Sequence, residues 1–393
     1  MAQRVEALAR PELLVWARKA AGVDLEVAAK KAAVPPERLE SWEAGSTRPT
    51  INQLRKLANA YKRPIAAFFL PKAPRIPDPP KDFRRPVGHE PASESPLLRL
   101  EIRKAALRRK AALELLALEG KDPPQLRLEL TKGVKPEDAG RQVRELLGVS
   151  LDEQFDWKGP YDAFNGWREA IENSGILVTQ MEEIPPGEAS GLSLSERPLP
   201  VIVANIKDTP RRRVFTLLHE ACHVLMKEDG LCDLDDFSAG SQTRLETERF
   251  CNAVAAAALV PKEALLAQRR VKNHPKNDPQ WTPDDLRSLA ARFCVSQEAI
   301  LGRLLTLGRT DWSHYRTAAE RLEDDFDDFQ RAKKKRTGPP SRALIAVATA
   351  GPTLAHLVLE GYARGRITAT DASDYLNVQV KHFPKIQERV SER

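Results

Sequence analysis

Six prolines fall within the sixteen residues 71–86, PKAPRIPDPPKDFRRP. Proline fixes φ and lacks a backbone N–H, so neither a helix nor a central strand runs through such a stretch. The chain must fold as separate parts on either side of a stiff, extended linker. Its 393 residues are enough for two or three domains, each with its own core. Hydrophobic residues at 41% and charged residues at 30% describe an ordinary globular chain rather than a disordered one.

Before the linker, residues 10–70 read as a run of short helices. Leu13, Leu14, Ala17 and Ala21 recur at helical spacing, as do Val27, Ala28 and Ala32. Asp24 is the expected N-cap of the second helix. Pro35-Pro36 opens a third that Gly45 closes. Leu54, Leu57 and Tyr61 mark a fourth, and Pro64–Leu70 a short fifth. The first 72 residues hold thirteen Lys and Arg against seven Asp and Glu, a net of +6, out of +7 for the whole chain. A basic surface of this kind suits nucleic acid.

After the linker, a long helix is expected over 97–118 and another over 136–148. The β-branched density of Ile176–Thr179 and Leu199–Asn205 predicts strands. Helices resume near Arg211, again over Arg244–Leu259, and dominate to the end. Asp284–Phe293 and Gln297–Leu307, with Ser296 as cap, have a helix-turn-helix rhythm. Arg103, Lys104, Arg108, Arg109 and Lys110 read as a solvated basic face. The acidic run Glu323–Asp328 and the basic run Lys333–Arg336 read as paired or solvated blocks without assigned function.

The chemistry is concentrated in Leu218-His219-Glu220-Ala221-Cys222-His223-Val224. Two His four residues apart lie one above the other on a helix face, where both rings reach one ion. Glu220, one step round, is placed to take a proton from a water held there. Phe215, Leu218, Cys222 and Leu225 supply the buried side. A catalytic zinc needs a third protein ligand and an open position. Asp229 would require a sharp turn where Met226 stands instead of Gly. Cys232 would place a thiolate near the base. Glu248, on a second helical segment, completes a His2Glu set, and Asn252 four residues on can hydrogen-bond a ligand His. Glu246 has Phe250 at the equivalent spacing, which donates nothing, so Glu248 is the favoured third ligand. His274, Tyr161 and Tyr315 are open candidates for steadying an oxyanion, and strand 200–205 for pairing with an extended substrate. Cys222, Cys232 and Cys251 read as small buried residues rather than a redox switch at the zinc, and Cys294 and Trp42 as core.

The stretch PLPVIVANIKDTPRRRVFTLLHEACHVLM, with ETERFCNAVAAAALVP after it, resembles the ImmA/IrrE family of zinc metallopeptidases. The resemblance implies zinc ligands His219, His223 and Glu248, with Mn2+ a possible substitute, and Glu220 as general base. Residues 10–70, through the helices 24–32 and 36–44, Trp42-Glu43-Ala44-Gly45 and Arg48-Pro49-Thr50, resemble the xenobiotic-response-element (XRE) class of helix-turn-helix domains. Lys30, Arg38, Ser41 and Arg48 are then the expected DNA contacts, opposed by Glu37, Glu40 and Glu43, so a protein-binding use of the same fold stays open.

These resemblances imply an α+β, mostly helical protein. Its parts are an XRE-like head (1–72), a Pro-rich linker (73–92), a zincin-like, thermolysin-like core with a small sheet (93–270), and a helical C-terminal region (271–393). The implied activity is limited, site-specific cleavage of a protein partner such as a repressor or antitoxin. Stress response, mobile-element control and toxin–antitoxin pairing are the implied settings. The alternative is a DNA-binding regulator, or a toxin–antitoxin component, whose zinc is structural or sensory. Four Cys in so long a chain and a charged start, MAQRVEALARPELLVW, point to the cytoplasm. No membrane contact is expected, since the longest apolar stretch, Ala253–Val260, is far short of a span. A homodimer is compatible with the sequence.

Overall fold

The computed structural model describes residues 6–74, 83–84, 95–131, 133–227, 240–275, 278–322 and 340–391; the side chains of 83–84 and 240–245 are outside that description. Contacts divide the chain into two units, Met1–Pro79 with Val87–Ala106, and Pro80–Pro86 with Leu107–Arg393. Most of the linker, Asp229, Cys232 and the charged runs near 323–336 lie outside the described residues.

In the first unit, α1 (Pro11–Ala21), α2 (Leu25–Ala32), α3 (Pro36–Glu43) and α4 (Ile51–Ala60) are followed by a 3-10 turn, Ile65–Phe69. Proline at the first turn of α1 and α3 costs no hydrogen bond, because those N–H groups have no helical partner. Thr50 and Gln53 form a reciprocal capping box on α4. Asp24 does stand at the N-cap of α2, but its side chain makes no capping bond, contrary to expectation. Leu14, Ala17, Ala28, Leu39, Trp42, Leu54, Leu57, Tyr61 and Phe68 fill the core. Arg18 of α1 grips Glu43 of α3 through two bonds of 2.7 and 2.8 Å, mostly out of solvent.

The second unit is built on a small sheet of order β1-β3-β4-β2, from β1 (Phe83–Arg84), β2 (Leu177–Met181), β3 (Gly191–Leu194) and β4 (Val201–Asn205). β2 runs parallel to β4, from Leu177 opposite Val201 to Met181 opposite Asn205. β3 runs antiparallel to both β4 and β1. β4 therefore has a neighbour on each side, so strand 200–205 has no free edge for a substrate; that expectation is corrected here.

Around the sheet pack α6 (Pro136–Leu147), α7 (Leu151–Asp156), α8 (Pro160–Asn173), α9 (Pro210–Leu225) and α10 (Gly240–Leu259). α9 lies against β3 and β4, with α8 and α10 beside it, and α6 runs along α10. Gly140 permits that last approach: a Cβ there would stand 2.8 Å from both Ala257 Cβ and the Ala258 nitrogen. Past α10 come α11 (Lys262–Leu266), α12 (Arg269–Asn273), α13 (Pro283–Phe293) and α14 (Gln297–Thr306), with Ser296 capping α14 as expected.

One apolar cluster runs from Leu130 through Trp167, Leu217 and Val254 to Leu286, Phe293, Ile300 and Leu304. The boundary expected at 270 does not coincide with a break in packing, because α13 and α14 share the core of α6, α9 and α10. On the long helix α5 (Pro96–Leu118), Lys110 is exposed as expected, but the arginines are not part of a solvated face. Arg103 and Arg108 are buried, Arg103 donates to the Lys62 carbonyl, and Arg109 donates to the carbonyls of Pro198 and Leu199. A guanidinium with five donors satisfies loop carbonyls that would otherwise be stranded.

Candidate metal centre

α9 starts cleanly. Thr209 accepts from the Arg212 N–H, and Pro210 occupies the first turn. From Thr216 to Leu225 every residue is buried, so this part of the helix is enclosed on all sides rather than on one apolar stripe. His219, Glu220 and His223 are thereby held in fixed orientations inside the fold.

α10 brings the third donor. Glu248 Oε2 lies 3.3 Å from His219 Nε2, and Oε1 lies 3.4 Å from His223 Nε2. The two Nε2 atoms are 3.1 Å apart. A tetrahedral ion with bonds of about 2.0–2.1 Å places its ligand atoms about 3.3–3.4 Å from one another. The two Nε2 atoms stand near that spacing, each has a different oxygen of Glu248 within 3.4 Å, and the donor set of two imidazoles and a carboxylate is one that zinc accepts. Among the described residues, His219, His223 and Glu248 are also the group of ligating side chains whose atoms converge within 4.8 Å. Glu248 keeps 23% of its side chain exposed, so the group is reached from that side.

The surrounding contacts prepare both rings. With Nδ1 of His219 protonated, it donates to Asn252 Oδ1 at 3.0 Å, which leaves the Nε2 lone pair facing the cluster. The Phe215 ring stacks beside His219, centroids 6.5 Å apart. Burial pulls the His223 imidazolium down, yet the neighbouring Cys251 thiol and Glu248 carboxylate outweigh it and push its pKa up to about 12. Burial raises the Glu248 carboxyl, but the two imidazoles hold it well below the usual carboxylate range. Without an ion, a protonated His223 and an ionised Glu248 satisfy one another.

Glu220 is buried beside His219. Its Oε2 accepts a 2.9 Å bond from Ser193 Oγ on β3, and its Oε1 has no hydrogen-bond partner among the described residues. Ser193 escaped the sequence reading, because the four-residue strand Gly-Leu-Ser-Leu lacks the β-branched density by which β2 and β4 announce themselves.

The other candidates fall elsewhere. His274 stacks on Trp281 at 3.9 Å, and its ring nitrogens meet the carbonyls of Pro275 and Gln280. Tyr315 packs edge-on against Trp312, and Tyr161 is exposed under the Arg213 guanidinium. None of these contacts reaches the His–His–Glu group. Cys222, Cys251 and Cys294 are buried free thiols, and Trp42 is core. On the helix-turn-helix face, Lys30, Arg38 and Arg48 are exposed, while the Ser41 hydroxyl is engaged by the Arg38 carbonyl and Thr47. Glu43, one of the three opposing acids, is taken up by Arg18.

The second unit thus presents a candidate metal site, and the first unit is a bundle of short helices. Residues 171–305, which contain all of these site residues, match the family model described as an IrrE N-terminal-like domain, and residues 14–68 match the model described as helix-turn-helix. The chain thus carries an IrrE-like peptidase-family domain behind an XRE-type helix-turn-helix domain. Over 93 residues it is 38% identical to the radiation response metalloprotease IrrE of Deinococcus deserti. That match covers 23% of this chain and 31% of the relative's length.

Proposed function

We propose that the chain is a zinc-dependent endopeptidase of zincin-like build that makes limited, site-specific cuts in a protein partner. A transcriptional repressor or an antitoxin is the partner class, and the XRE-type head brings the enzyme to DNA. The observation that carries this reading is the convergence of ligand atoms from His219, His223 and Glu248 within 4.8 Å of one another, beside a buried carboxylate with one uncommitted oxygen.

His219, His223 and Glu248 would hold the ion, and Asn252 would fix the His219 tautomer. When bound, zinc supplies Lewis acidity, polarising a peptide carbonyl and making water more acidic. Glu220 takes a proton from the attacking water on its free Oε1 and passes it to the departing amine. The enclosing walls of α9 exclude bulk solvent, which strengthens each of these interactions. An extended substrate would pair along the part of the outer edge of β3 not met by β1, which supplies main-chain hydrogen bonds next to Glu220.

A purely structural zinc has no use for a carboxylate base at its side, so Glu220 separates this reading from a metal-bound regulator. Zinc-loaded wild type and Glu220→Gln are incubated with the product of the neighbouring gene, whatever its class. Discrete fragments are expected from wild type alone, with zinc bound equally by both. Equal zinc content without any difference in fragmentation would move the assignment to a regulator with a structural or sensory ion.

A further inference from the structure

We propose that Ser193 is the positioning residue of the reaction: its hydroxyl holds one oxygen of Glu220 so that the other stays aimed for proton transfer. This rests on the peptidase reading above.

Ser193 and Gly191 share one face of β3, since alternate residues of a strand point the same way. The strand is pinned in register by β4, with Gly191 opposite Ala204 and Ser193 opposite Ile202. Both residues bear on Glu220. A Cβ on Gly191 would stand 2.3 Å from Thr216 Cγ2 and 3.4 Å from Glu220 Cγ, so the absent side chain lets β3 lie directly on α9. Two residues further on, Ser193 Oγ donates to Glu220 Oε2 at 2.9 Å, away from solvent.

A buried carboxylate with no donor would swing among rotamers or attract whatever cation was near. A lysine or arginine donor would hold it as a tight ion pair and blunt it as a base. A neutral hydroxyl does neither. It satisfies Oε2 and leaves Oε1 without a partner among the described residues. The base is thus held against a strand that lacks a side chain at Gly191 and offers a donor two residues on, at Ser193.

The test compares zinc-loaded wild type, Ser193→Ala, Ser193→Thr and Glu220→Gln in steady-state cleavage, zinc titration and thermal melting. For Ser193→Ala, kcat is expected to fall about tenfold to a hundredfold with KM and zinc affinity within about twofold, because only orientation is lost. Ser193→Thr, which keeps the hydroxyl, should recover most of that loss.

A second readout needs no turnover. In chemical unfolding, a double-mutant cycle of Ser193→Ala and Glu220→Ala should show a coupling of about tenfold in the unfolding equilibrium. Several results would overturn the proposal while leaving the peptidase intact: a Ser193→Ala enzyme with kcat close to wild type, a loss that follows zinc affinity or melting, no recovery in Ser193→Thr, or an additive cycle. If wild type cleaves no better than Glu220→Gln, the peptidase reading fails first and the positioning role goes with it.

Discussion

His219 Nε2 and His223 Nε2 face each other at 3.1 Å, with the Glu248 oxygens closing the triangle. In the metal-free protein this geometry favours a protonated His223 and an ionised Glu248. The raised His223 pKa means that its stabilisation is complete below the ordinary imidazole value of about 6.5 and fades as pH climbs toward about 12. The depressed Glu248 value works in the opposite sense, so its contribution is present above the ordinary carboxylate range and fades as pH falls. An incoming ion needs a neutral His223 and must displace its proton. Apparent zinc affinity is therefore expected to rise about tenfold per pH unit between about pH 6 and 8. Competition against a chelator of known strength measures it, and a flat profile would mean that His223 is already neutral without metal.

Helices, rather than single residues, decide whether the three donors meet. His219, Glu220 and His223 were readable because helix periodicity puts positions four apart on one face. Glu248 was readable because Asn252 repeats that spacing on a second helix. The partner of Glu220 was not readable, since hydrogen bonding between a short strand and a helix leaves no trace in local periodicity. α7 and α8 leave no clear mark in the sequence pattern, and the arginines of α5 differ from the expected solvated face because the loop carbonyls that bind them are remote in sequence. The expected helix boundaries around residues 10–70 and 283–307 held closely, because Pro, Ser and Thr mark them. At this scale the close approach of α6 to α10 is the sensitive contact. Gly140→Ala should push the two helices apart, lowering stability by about 1–3 kcal/mol. It should also weaken zinc binding through α10, which denaturant unfolding and zinc titration would register. An unchanged variant would show that the contact has slack.

The far end of α10 shows how the second unit is held together as a whole. Its last two carbonyls, which have no helical partner, and the carbonyl of Val260 just beyond it are taken by three side chains from three other elements. Arg144 of α6 donates to the Ala258 carbonyl, Gln154 of α7 to that of Leu259, and Arg303 of α14 to that of Val260. Gln154 also donates to the Phe293 carbonyl, and Arg303 pairs with Glu137. A chain ending at 270 loses Arg303, Phe293 and the apolar side chains of α13 and α14. It is expected to lose cooperative melting and zinc binding together, visible by calorimetry and metal analysis. The head answers to a different variable. If Lys30, Arg38 and Arg48 meet phosphates, retention of DNA in a gel shift should weaken steeply as salt rises. Cleavage of a protein substrate should change far less. Among the described residues no single helix is long and apolar enough to cross a membrane.

The three-sided grip on the last turn of α10 has a bearing on how genes of this kind are counted. A shortened open reading frame can spell out both histidines and both glutamates in perfect order and still yield a polypeptide missing the α14 arm of the clasp at the end of the helix that bears Glu248. Surveys that score the catalytic letters alone would tally such remnants as working enzymes. The arginine of α14, more than fifty positions downstream of Glu248, is the better witness that the scaffold survives.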